Sequence, residues 1–248
     1  MVIGGLKRIA EVATFLVPLM GSIYFGAMIV ALILNLNLVL PAFKLILVDA
    51  FNGTAIAGGT FFGVLIYGVR RGAFSNEAGM GTESLVHGVA KVSNPVKQGL
   101  VAMTGPIFDT LIICTATALM ILVSGVWETS SSQGVTLTAE AFSILLGSFG
   151  GLILFVCVIC FGLSTIFTYS YYGASCSRFL FGKFGMKFYI YLYILSIFIY
   201  SIVPIDIAIN IADGAFAMMA IPTLISALWL APKVMQASKN YFKLIDNN

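Results

Sequence analysis

Residues 71–81 read Arg71-Gly72-Ala73-Phe74-Ser75-Asn76-Glu77-Ala78-Gly79-Met80-Gly81. Upstream lies an apolar run spaced with Gly63 and Gly68, small residues that let helices pack closely. Ser75-Asn76-Glu77 is different, because it gathers three polar side chains and helix-weakening glycines within about one turn. In hydrocarbon, unpaired backbone and ionisable groups are costly, so non-helical chain survives only when buried in protein or lining a polar cavity. Broken helices at mid-membrane are one way transporters build substrate and ion sites. A transport role is therefore expected if the surrounding chain spans a membrane.

Composition says that it does. The 248 residues are 60% hydrophobic and 9% charged, with a mean hydropathy of +1.04, whereas soluble domains carry about a quarter charged residues. No charge falls between Glu11 and Lys44, nor between Glu140 and Arg178, and each gap exceeds the roughly 20 residues of a spanning helix. The runs are continuously apolar, which argues against a transmembrane barrel with its alternating ten-residue strands. The expected fold class is all-α, a polytopic transmembrane helix bundle, with 1–248 as a single membrane domain. About six spanning units are read at 12–36, 56–90, 101–123, 150–172, 188–203 and 207–230. An interfacial piece is read at 43–51, a broken helix at about 56–90, and a kink at Pro222.

Basic residues set the orientation. With the amino terminus inside, Lys7, Arg8, Lys91, Lys97, Arg178, Lys183, Lys187, Lys233, Lys239 and Lys243 fall on the inner side and only Lys44 on the outer. The expected localisation is the cell membrane, multi-pass, with a cytoplasmic carboxyl terminus. The +3 net charge then reflects topology, and no nucleic-acid partner is implied. The first apolar run is too long for a signal peptide core. Cys157 and Cys160 have C-x-x-C spacing, but within an apolar span they read as small packing residues. His87 stands alone and reads as a hydrogen-bonded packing residue. Nothing suggests an enzyme: there is no phosphate-binding glycine loop with its lysine, and one histidine for acid–base work. No filter motif of a channel is present.

Several polar groups remain within the spans. Arg70 and Arg71 either pair structurally with acids such as Glu77 and Asp109, or form a gate by exchanging salt-bridge partners. Asp109, within a turn of Pro106, could ligate sodium, carry a proton or pair with an arginine, and Asp213 is similar. Ser164 and Thr165 either bond carbonyls of their own helix or offer oxygens to a hard cation. Tyr169, Tyr171 and Tyr172 form an aromatic cluster of the kind that often anchors at the interface.

Residues 71–81 resemble the R-G-L-F-S-N-E-A-G-L-G hallmark of the sodium:alanine symporters. The similarity continues through Pro95-Val96-Lys97-Gln98-Gly99-Leu100-Val101, Phe108-Asp109-Thr110-Leu111-Ile112-Ile113-Cys114-Thr115 and Ser164-Thr165-Ile166. It resumes at Ser170-Tyr171-Tyr172-Gly173, Ile211-Ala212-Asp213 and Met219-Ala220-Ile221-Pro222. The resemblance implies a leucine-transporter-type fold of two five-helix inverted repeats, each opening with a broken helix. Gly4-Gly5-Leu6-Lys7-Arg8-Ile9 resembles a segment in the middle of such proteins, so the chain is expected to hold the last helix of the first repeat and all of the second. The other broken helix, with its G-T-G-N-I-x-G motif, would belong to a missing amino-terminal half that acts as partner if separately encoded.

By the same resemblance, Phe74, Ser75, Asn76 and Gly79, with Tyr169, are implied to bind a small neutral amino acid. Ser164, Thr165 and the Phe161 carbonyl are implied to contribute to a sodium site, sodium being the coupling ion and no cofactor being needed. Gating or charge pairing by Arg70, Arg71, Glu77, Asp109 and Asp213 is read from the residues themselves and not from the resemblance. Two departures stand out: Thr168-Tyr169 where the family has Gly-Trp, and Glu83-Ser84 where it has Ala-Pro. The alternative expectation is a truncated, non-transporting membrane remnant.

Overall fold

The computed structural model describes residues 5–51 and 60–246, and among them every regular element is helical. The first positions of the second expected spanning unit, 56–59, lie outside the described residues. Among the described residues, four helices are long and apolar enough to cross a bilayer: Val12–Leu34, Pro95–Ser124, Ser148–Ile202 and Ile207–Ile245. The protein is an all-α, multi-pass membrane bundle.

Helix α1 spans Gly5–Leu34 and yields at Asn35, whose side-chain amide turns back to the Ala31 carbonyl at 2.9 Å. Helix α2, Leu36–Ala50, follows at once, so it begins before the 43–51 piece read from sequence. Helix α3, Thr60–Asn76, ends where the polar residues begin, and α4, Thr82–His87, resumes after five non-helical residues. Helix α5, Pro95–Pro106, starts at Asn94, whose side chain accepts the Val96 amide proton at 2.9 Å. That cap and the proline at the first helical position satisfy or remove the free donors of the first turn.

Pro106 has no amide proton to give, and the chain answers with a π-helical segment over Ile107–Cys114 before α6, Thr115–Ser124. A missing donor disrupts the i→i−4 ladder, and π turns absorb such local faults, frequently at functional sites. Two short helices, α7 at Val126–Thr129 and α8 at Val135–Leu146, lead into α9, Ser148–Ile202.

Helix α9 is two legs rather than one rod. Gly182 takes φ +69°, ψ −157°, a region open essentially to glycine alone. The Tyr193 hydroxyl donates to the Ile166 carbonyl at 2.8 Å, yet 27 residues of straight helix would separate them by roughly 40 Å. The chain therefore doubles back at Gly182. A Cβ on Gly173 would lie 2.0 Å from the Tyr189 ring, so the legs meet with no room for a side chain there. Helix α10, Ile205–Asp246, then stays helical through Pro222 and Pro232 and beyond the 207–230 span read from sequence.

The core lies where α1, α6, α8 and α9 converge, around Tyr24, Met28, Met120, Phe142, Leu154 and Cys157. Tyr24 stacks on Phe142 at 5.5 Å between centroids, and its hydroxyl lies 2.9 Å from that of Thr117. Cys157 is a buried packing residue, and all four cysteines are free thiols. Outside this core, large apolar side chains such as Phe15, Phe179 and Trp229 are exposed. A bilayer solvates such a surface, whereas water would drive it to aggregate.

Candidate functional site

The break after α3 is built from unusual backbone. Glu77 has φ +53°, and Gly79 and Gly81 have φ +81° and +89°. Left-handed conformation at the residue following a helix end normally falls to glycine, and a side chain there costs roughly 1–2 kcal/mol. Glu77 holds it with its carboxylate accepting the hydroxyl of Tyr169, from α9. Its carbonyl accepts the Met80 amide at 3.1 Å, and the Asn76 side-chain oxygen accepts the Ala78 amide at 3.0 Å. Gly81 is required twice: its φ is positive, and a Cβ there would lie 2.8 Å from the Thr223 hydroxyl of α10.

The last turn of α3 is tied to the π segment. Ser75 donates to the Asp109 carboxylate at 2.6 Å, and Asn76 donates to the Thr110 hydroxyl at 2.9 Å. The Cys114 sulfur lies 3.4 Å from the Ser75 hydroxyl. The Thr115 hydroxyl reaches back five residues to the Thr110 carbonyl at 3.4 Å, the spacing of the π ladder. Two adjacent residues of the π segment thus meet two adjacent residues of α3.

The charges separate by partner. Both arginines turn to Asp213 on α10: Arg70 pairs with it directly, and Arg71 lies 3.8 Å away. Asp213 is 6% exposed while the two guanidinium-bearing side chains are nearly half exposed, so the pair joins a buried acid to bases at the edge. Glu77 and Asp109, the acids adjacent in sequence to the arginines or to Pro106, take hydroxyl donors instead. Arg70 also lies 6.0 Å over the Phe74 ring, and Arg71 lies 5.1 Å over that of Tyr67.

Ser164, Thr165 and Phe161 share α9 with Tyr169. The Ser164 hydroxyl donates to the Phe161 carbonyl at 2.8 Å, and the Thr168 hydroxyl donates to the Ser164 carbonyl at 2.8 Å. A cation held by the Ser164 and Phe161 oxygens would need that first bond to open, because both atoms must then offer lone pairs. Tyr169 is one turn further along and meets the break through Glu77, so α9 links the two groups of residues. His87 lies 2.7 Å from the Gln98 side-chain nitrogen, a hydrogen-bonded packing residue. No group of three or more His, Cys, Asp or Glu with metal-holding geometry occurs among the described residues.

Sequence reasoning missed Thr110 and Phe216. Phe216 packs edge-to-face on Phe74 at 5.0 Å and on Tyr169 at 6.2 Å. Its position three residues beyond Asp213 was the available signal, since i and i+3 share a helix face.

An interrupted helix whose polar turn is held by side chains from a π segment, α9 and α10 defines a multi-pass membrane protein with a broken helix, a form from which transporters build binding sites. The chain belongs to the sodium:alanine symporter family, which matches residues 1–248 and is a family of transporters rather than enzymes. It is 35% identical over 249 residues to the sodium/alanine symporter AgcS of Methanococcus maripaludis, covering 99% of this chain and 55% of that one. A Haemophilus influenzae relative described as an uncharacterized transporter is 35% identical over 252 residues, covering 100% and 55%. The probable sodium/glutamine symporter GlnT of Bacillus subtilis is 34% identical over 241 residues, covering 97% and 50%. The chain spans about half the length of these curated relatives.

Proposed function

We propose that this chain is the carboxyl-terminal portion of a sodium-coupled symporter of small neutral amino acids in the cell membrane, with its carboxyl terminus cytoplasmic. The reading assigns it the second inverted repeat of a leucine-transporter-type fold, preceded by the last helix of the first. The observation that carries it is the opening after Asn76: Phe74, Ser75 and Asn76 end the helix, Gly79 lies among the five non-helical residues that follow, and Asp109 and Thr110 hold Ser75 and Asn76 while Tyr169 holds Glu77. Backbone freed at such a break can bind the carboxylate and amino groups common to all amino acids. The names of the relatives support cation coupling, one for alanine and one for glutamine.

Charge supports a cation as well. Three acids, Glu77, Asp109 and Asp213, outnumber the two bases, Arg70 and Arg71, and both bases turn to Asp213, so the other two acids leave room for a cation. Sodium would be held on α9 by Ser164, Thr165 and the Phe161 carbonyl, completed by the amino-terminal half of the fold. Tyr169 would pass its occupancy to Glu77 and the break. In alternating access the repeats then rock around the loaded site. Coupling of about 1–3 kcal/mol between ion and substrate is typical of linked sites.

Co-expression of this chain with an amino-terminal half carrying the G-T-G-N-I-x-G helix tests the reading. The expected result is alanine uptake that depends on a sodium gradient and is absent when either half is expressed alone. No uptake of any small amino acid by the pair overturns it in favour of a non-transporting remnant.

A further inference from the structure

We propose that Phe216 is the residue that limits substrate side-chain size, a role that rests on reading 74–79 as the substrate site. Three rings from three elements converge at the break. Phe216 of α10 meets the edge of Phe74 from α3 at 5.0 Å and 85°, and meets Tyr169 from α9 at 6.2 Å and 85°. It is the shared member, since each of the other two contacts runs through its ring.

The neighbours fix it in place. Asp213, three residues earlier on α10, holds Arg70, and Arg70 lies over Phe74 four residues later on α3. One turn of α10 is therefore clamped at two points to one turn of α3. Tyr169 is held at its other end by Glu77 and packs on Tyr172 at 5.3 Å. A ring braced on both sides by rings that are themselves anchored cannot swing aside for a longer substrate as a lone side chain would. Packed aromatic surfaces resist added volume steeply. Relatives of nearly equal identity are named for alanine and for glutamine, so overall similarity does not set side-chain size, and a local wall must.

The test compares sodium-driven uptake of glycine, alanine, 2-aminobutyrate and norvaline, which lengthen the side chain by one carbon at a time, using the co-expressed pair described above. Phe216→Leu is expected to raise 2-aminobutyrate relative to alanine about tenfold, the scale of one methylene in an apolar pocket, and norvaline by more. Phe216→Trp is expected to move preference the other way, toward glycine, and Phe216→Tyr, which keeps the ring, to retain the wild-type ratio. Alanine uptake by the Leu and Trp variants with unchanged ratios overturns the size filter and leaves the transport reading standing. An unmodified pair that takes up no amino acid overturns both.

Discussion

Single residues at the break carry more than their own packing. At Gly81 the backbone is left-handed and Thr223 occupies the space a Cβ would need. Gly81→Ala is expected to destabilise the protein by roughly 1–3 kcal/mol, the usual cost of a strained backbone position, measured as a lower melting temperature in detergent. Adding Thr223→Ala should recover only the part due to the clash, because the positive φ remains. Full recovery would show that the backbone tolerates alanine there. Glu77 presents the opposite case, a side chain kept where glycine would be easier. Tyr169→Phe removes its hydroxyl partner and leaves the carboxylate short of a donor, a change worth about 1–3 kcal/mol when the acceptor is charged. Its melting temperature should fall, and Glu77→Gln in the same background should restore part of the loss.

Elements show how far local pattern reaches. The glycines, the amide and Pro106 were visible signals of irregular chain, and both Gly79 and Gly81 take positive φ. The polar partners were less legible: Arg70 and Arg71 lie seven and six residues from Glu77, but they pair with Asp213, more than 140 residues away on α10. Proximity in sequence says which groups need a partner, whereas helix packing decides which one arrives. The reversal at Gly182 was legible, since Arg178, Lys183 and Lys187 interrupt the apolar pattern between the spans read at 150–172 and 188–203, although nothing singled out which residue turns. Gly182→Ala is expected to strain the turn between the two legs of α9 and to weaken their contact. Loss of the Tyr193–Ile166 bond would appear as faster amide exchange around 166–170, and unchanged exchange would argue against a glycine requirement. On α8, Glu140 accepts the Ser132 hydroxyl at 2.6 Å. That bond, then one from Ser130, holds its carboxyl below the ordinary range. A depressed carboxylate stabilises the folded loop above its unfolded pKa, and the effect is lost as pH falls through the folded value. Ser132→Ala should move the Glu140 titration upward, as read by NMR of a labelled carboxylate.

The whole molecule is organised by an asymmetry between a broadly packed side and a sparsely joined one. Tyr24, Met28, Met120, Phe142 and Leu154 bury one interface between α1, α6, α8 and α9. Helix α10, by contrast, meets the break through a few specific contacts: Asp213 with the arginines, Phe216 with Phe74 and Tyr169, and Thr223 against Gly81. Large apolar interfaces move as rigid bodies, while a small set of directional contacts can open and re-form. Asp213 is the contact on which this predicts the largest effect, because it is buried and faces two bases at once. Removing one partner of a fully buried pair costs about 3–5 kcal/mol, and the exposure of the arginines reduces that toward 1–2 kcal/mol by solvent screening. Asp213→Asn should therefore lower the melting temperature modestly while strongly reducing the sodium-driven uptake proposed for the co-expressed pair, since the guanidiniums lose the carboxylate that draws α10 onto α3. Arg70→Gln in the same background should cost less than the two changes added separately, the sign of a direct interaction in a double-mutant cycle. Strict additivity in both melting temperature and uptake would place Asp213 and Arg70 in separate roles and remove the ion pair from the closing motion.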